Sequence, residues 1–204
     1  MNIVTLDLET YFDDDYTLKK LTTEAYVRDP RFEALGCGFR WPDGKLEWRY
    51  GHDGVRKFTD WIHGNKCAVL CHHAHFDGLI LSHHYGVKPY AWLDTLSMAR
   101  LLLGNHLSVG LGSLAEHFGL AAKSVPYDLF KGRHWSALSA DIRAAVASGC
   151  LHDVELTWQI FNLLAKDFPN EEYAIVDQTV RLFTEPTLVG DIQALGRVWT
   201  AEHH

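Results

Sequence analysis

The chain has few cysteines, no long apolar run and no surplus of positive charge, and each absence removes a class of protein. Its four cysteines (Cys37, Cys67, Cys71 and Cys150) follow no framework spacing. That points away from a disulfide scaffold and toward a reducing, cytoplasmic setting. No apolar stretch approaches the roughly 20 residues of a spanning helix, and the first residues carry neither a basic region nor a signal-peptide core. No membrane partner is therefore expected. A formal net charge of −7 argues against a protein that coats nucleic acid, which would be basic. It leaves room for an acidic pocket filled by metal ions, because bound cations reverse the local charge. Repeats and low-complexity linkers are also missing from these 204 residues, a length that suits one well-buried domain with an appendage.

What is present begins with the first ten residues. Ile3, Val4 and Leu6 are β-formers in a short apolar run, which predicts a buried strand over 1–10. Asp7 and Glu9 fall two apart in that strand, so both carboxylates leave the same face, roughly 7 Å apart along the chain. Two acids at the end of a buried strand are unfavourable unless a positive group sits between them, and a hard divalent cation such as Mg²⁺ or Mn²⁺ answers that need. Taken alone, an Asp-x-Glu pair reads equally as an exposed strand end with two solvated acids.

Further along, a hairpin is predicted over 34–50 with its turn at Pro42-Asp43-Gly44, followed by strands over 67–71 and 90–93. Helices are predicted over 55–63, 76–85, 95–103 and 113–118. One or two more cover 139–166, broken near Gly149, and a last one covers 171–183. Three strands followed by alternating helix and strand predict an α/β domain with a mixed sheet. Asp77 falls in the first turn of its helix, where the dipole favours an anion and a capping role is the plainer reading. Asp153 sits among Val154, Leu156 and Ile160, so it either pairs with a cation or faces a site. Cys67, Cys71, His72, His73 and His75 match no usual zinc spacing. Trp41, Trp48, Trp61, Trp92, Trp135 and Trp158 are expected to pack in the core and hairpin.

Asp7-Leu8-Glu9-Thr10, Phe76-Asp77 and Asp153-Val154-Glu155-Leu156-Thr157, in that order and at those separations, resemble the three motifs of the DEDD superfamily of 3′–5′ exonucleases. The stretches 22–33 and 94–100, together with Arg181-Leu182-Phe183-Thr184-Glu185-Pro186, are similar to the proofreading domain of phage-type family A DNA polymerases. The resemblance implies a ribonuclease H-like α/β fold with a mixed five-stranded sheet flanked by helices, and removal of nucleotides from single-stranded DNA 3′ ends. It implies an exonuclease domain over 1–168 and, over 169–204, a helical extension toward a polymerase domain or subunit. It implies Asp7, Glu9, Asp77 and Asp153 as catalytic carboxylates holding two divalent ions, Mg²⁺ or Mn²⁺. Such a pair, about 3.5–4 Å apart, can bind the attacking water and the leaving 3′ oxygen. Leu8, Thr10 and Tyr11 match positions that line the pocket for the terminal nucleotide. His73 and Phe76 stand beside them as substrate contacts. Lys131 and Arg133, in a basic cluster with Lys123 and His134, are expected to grip the DNA backbone.

Two departures bear on activity. His73 stands where the group commonly has Asn, a change expected to tune the site. Gly149 stands where a tyrosine normally touches the attacking water, and Ser148 does not supply the histidine of the related branch. Loss of a water-positioning group slows hydrolysis by about 10²- to 10⁴-fold. His152 lies about 60° around the helix from position 149 and is not expected to replace it. Two other readings stay open: an exoribonuclease of the same superfamily, and a weakened module that binds 3′ ends or a polymerase.

Overall fold

The computed structural model describes residues 2–104, 106–187 and 189–203; Met1, at the start of the predicted first strand, lies outside them. Asn2–Thr10 (β1), Ala34–Arg40 (β2), Leu46–Tyr50 (β3), Cys67–Cys71 (β4) and Ala91–Asp94 (β5) make one sheet in the order β3-β2-β1-β4-β5. β1 is its centre. It pairs antiparallel with β2, which pairs antiparallel with β3 across the hairpin, and parallel with β4, which is parallel to β5. A parallel neighbour needs a crossover, and Gly51–Gly64 (α2) supplies it between β3 and β4.

Helices cover both faces. Val4, Leu6 and Val69 pack with Val55, Phe58 and Ile62 of α2 and with Leu79 and Ile80 of Ala74–Tyr85 (α3). On the opposite face Ala68, Leu70 and Leu93 meet Leu156, Ile160 and Leu164 of a long helix. Thr95–Leu103 and Leu111–His117 join that layer through Met98, Ala99 and Leu114. Coverage on both sides is why β4 reads as an unbroken apolar run, Cys67-Ala68-Val69-Leu70-Cys71, all of it buried. Thr23–Arg28, outside the predicted elements, is the first helix in the chain (α1); Thr95–Leu103 and Leu111–His117 are α4 and α5.

Three expectations are corrected. The basic stretch after Lys123 contains one helical turn, Tyr127–Phe130 (α6), where no period was legible. The tail carries Ile192–Glu202 (α9), while the predicted segment before it, Asn170–Thr184 (α8), packs on α3 and β5. Most consequentially, Ala140–Leu164 (α7) is one continuous 25-residue helix and does not break at Gly149.

Gly149 has another use. A Cβ there would lie 2.8 Å from the Cα of Val125 and 3.2 Å from its Cγ2, so only glycine admits the backbone that crosses α7 at this point. The two explanations predict opposite signs for Gly149→Ala. A mere flaw in the helix would be repaired, with a gain of about 1 kcal/mol. The close approach of Val125 instead makes the substitution destabilising by about 1–3 kcal/mol, which urea unfolding of the two proteins measures.

Candidate active site

Alternation along β1 sends Leu6 and Leu8 into the α2–α3 side and Thr5, Asp7 and Glu9 toward α7. From α7 the fully buried Asp153 faces them, with Cys150 one turn earlier. Gly38 of β2 lets the helix sit this close, since a Cβ there would lie 2.9 Å from Cys150 Sγ. The Cys150 thiol lies 3.3 Å from the Asp7 carbonyl and 3.4 Å from Asp7 Oδ2. From the other direction α3 delivers Asp77, whose Oδ1 accepts a 3.1 Å hydrogen bond from the Leu8 N–H.

The start of α3 is held by Asp94. Its Oδ1 accepts from the N–H groups of His73 (2.8 Å) and Ala74 (3.1 Å) and also from Leu96 (3.2 Å). Its Oδ2 accepts from the N–H (3.3 Å) and hydroxyl (2.7 Å) of Ser97. One buried carboxylate thus caps α4 and fixes the approach to α3, with His73 in the left-handed region at φ 75°. His73 is the sole non-glycine with positive φ among the described residues.

The four acids strain against one another. Burial, then the Asp153 carboxylate, pushes Asp7 up to about 7. Burial, then Asp7, holds both Glu9 and Asp77 well above the usual carboxylate range. Burial also raises Asp153, against the opposing pull of the Lys123 ammonium. Asp7, Glu9 and Cys150 form the tightest group, with one ligand atom from each within 4.8 Å of the others. Asp77 and Asp153 act on it through charge. Lys123 Nζ, 2.8 Å from Oδ2, is the one group that meets the Asp153 carboxylate among the described residues, and Oδ1 of Asp153 has no donor. A buried carboxylate with one oxygen unpartnered, among three more acids whose charged forms are disfavoured, fits a divalent cation.

Asp7, Glu9 and Asp77 open onto a cavity of about 630 Å³ that Leu8, Thr10, His73, Phe76 and Lys131 also line. Lys19, Lys20 and Lys131 stand at its edge among Asp13, Asp14 and Asp128, with Lys20 paired to Asp15 and Lys131 to Asp14. Thr10 reaches the cavity with its hydroxyl engaged, 2.8 Å from the Tyr26 hydroxyl. Tyr11 stands elsewhere than expected: its ring is buried against Tyr16 and His134, and its hydroxyl donates to Asp13. Arg133 is exposed and outside the cavity lining. His152 faces away from the acids, with its Nε2 2.9 Å from the Ala122 carbonyl. Lys123, expected to grip a DNA backbone, instead sits on Asp153, and Tyr127 lines the cavity beside it. Sequence reading missed Tyr127, Cys150 and Asp94; for Asp94 the available signal was an Asp three residues before a Ser at a helix start.

No family model and no curated protein matches the chain. Solved structures match its fold. Brucella melitensis NrnC with bound Mg²⁺ superposes at a TM-score of 0.61, with 17% identity over 90% of this chain and 83% of that one. Trypanosoma brucei RNase D gives 0.67, with 16% identity over 92% of this chain and 68% of its own. The family B DNA polymerase of the archaeon Pyrobaculum calidifontis gives 0.57, with 18% identity over 81% of this chain and 24% of the polymerase. At these identities the likeness establishes the architecture, a ribonuclease H-like mixed sheet flanked by helices.

Proposed function

We propose that the chain is a metal-dependent nuclease that trims 3′ ends, with single-stranded DNA as its substrate. The observation that carries the reading is the convergence of four acids from β1, α3 and α7, three of which, Asp7, Glu9 and Asp77, line one cavity. Asp7, Glu9, Asp77 and Asp153 would hold the metal, which supplies a hydroxide nucleophile and charge neutralisation at the leaving 3′ oxygen. Leu8 and Phe76 present apolar surface to the terminal base at the cavity wall. The lysines at the cavity edge attract the phosphate backbone toward an otherwise acidic chain. Asp94 keeps Asp77 in register by anchoring α3.

DNA as substrate, and an origin beside a phage-type polymerase, rest on the motif flanks in the sequence. RNA is the second reading, favoured by the fold match to a protein called RNase D. Matched 5′-labelled DNA and RNA oligomers, incubated with Mg²⁺, Mn²⁺ or EDTA, separate the two. A ladder shortening from the 3′ end of DNA in metal and absent in EDTA is the expected result. A ladder on RNA alone transfers the same site to the second reading, and intact oligomers of both kinds overturn the nuclease reading.

A further inference from the structure

The resemblance implies two metal ions, yet a positive side chain already stands in the cluster. The segment that carries it is clamped to α7 at two points. The Ala122 carbonyl lies 2.9 Å from His152 Nε2, and the Val125 backbone fills the space that a side chain at 149 would occupy. Lys123 lies between the clamps, and its ammonium is directed onto Asp153 at 2.8 Å. The Tyr127 ring lies beneath the ammonium at 5.2 Å from its centroid, a cation–π contact that holds it in place. Gly149 therefore does more than remove a tyrosine. It admits the segment that puts a lysine in the site.

Four ionised carboxylates and one ammonium carry a charge of about −3, which one divalent ion brings to −1. The Asp7 and Glu9 carboxylates, in the tightest group of the cluster, are the natural place for that ion. We propose that the Lys123 ammonium takes the place of one metal ion, so that this site binds a single divalent cation where the resemblance implies two. The inference deepens the nuclease reading and rests on it for its meaning in catalysis, while its test is independent of turnover.

The measurement is Mn²⁺ stoichiometry on the full chain by equilibrium dialysis and by the loss of the free-Mn²⁺ resonance signal. One Mn²⁺ per wild-type chain and two per Lys123→Met chain are expected. Lys123→Gln, which retains a hydrogen-bond donor for Asp153 without the charge, should also bind two and guards against a folding failure of the first variant. Gly149→Ala, which lifts Val125 and with it Lys123, should weaken the distinction in the same direction. Two ions on the wild type overturn the proposal, as does one ion on both lysine variants. If the wild type degrades no oligomer, the nuclease reading falls and the stoichiometry still decides the role of Lys123.

Discussion

Asp7→Asn is expected to lower hydrolysis of a 3′ end by at least about 10³-fold, a loss of some 4 kcal/mol of transition-state stabilisation. Asp7 is the acid that both Glu9 and Asp77 feel. Its charge is among the causes that raise Glu9 and Asp77, and the charge of Asp153 raises Asp7 in return. Removing that charge takes away a metal ligand and relieves repulsion at the same stroke. The variant should therefore be less active and, in EDTA, more stable than the wild type by about 1–3 kcal/mol. That opposition is the useful part of the prediction, because a substitution that merely damaged the fold would lower both. Single-turnover rates with a labelled oligomer, alongside urea unfolding in EDTA, measure the two effects. An active variant, or one destabilised in EDTA, removes Asp7 from the centre of the site.

The second large effect is on stability, and both pH and metal move it. In the metal-free chain Asp7 titrates near 7, against an ordinary value of 3.8 in the unfolded chain. The folded form therefore binds more protons than the unfolded form between those values, so stability is greatest below about pH 4. It falls as the pH rises toward 7 and is flat for this group above that. Three units correspond to roughly 4 kcal/mol, which for a chain of this length lowers Tm by roughly 10 °C. A divalent cation should reverse the loss. At a hundredfold excess over its dissociation constant a ligand of the native state contributes about 2.7 kcal/mol, or roughly 5–10 °C in Tm. Thermal melts at pH 5 and pH 7.5, with EDTA or with Mn²⁺, test both signs. A metal-free melt that rises from pH 5 to 7.5, or a Tm indifferent to Mn²⁺, contradicts the cluster as described.

The legible part of the chain was what short-range periodicity carries. Two-residue alternation placed Asp7 and Glu9 on one face of β1, and an unbroken apolar run marked β4 as a strand buried on both sides. The order of strands and helices was enough for a mixed α/β sheet, and Asp77 fell in the first turn of α3 as its position suggested. Tyr11 was placed at the pocket by resemblance alone, and just past the strand end the chain turns it elsewhere. Its ring follows the loop into a stack with Tyr16 and His134. Gly149 was read through intrinsic helix propensity, which is weak enough for tertiary packing to override, and α7 runs straight through it.

By itself, then, the sequence determined most of the strands and helices and the strand that carries two of the acids, while the four carboxylates as a set came from the resemblance of its motifs. The elements depend on spacing within a strand or a helical turn, which covalent geometry imposes locally. Only the tertiary structure decided what surrounds the acids. Asp77 is tied to Leu8 across 69 residues, and Cys150 touches Asp7 across 143. Lys123 reaches Asp153 because a backbone crossing at Val125 needs a position without a side chain on α7. No local period encodes such contacts. They follow from how closely two segments can approach once the sheet has brought them together, and that closeness puts a lysine beside the acids of the site.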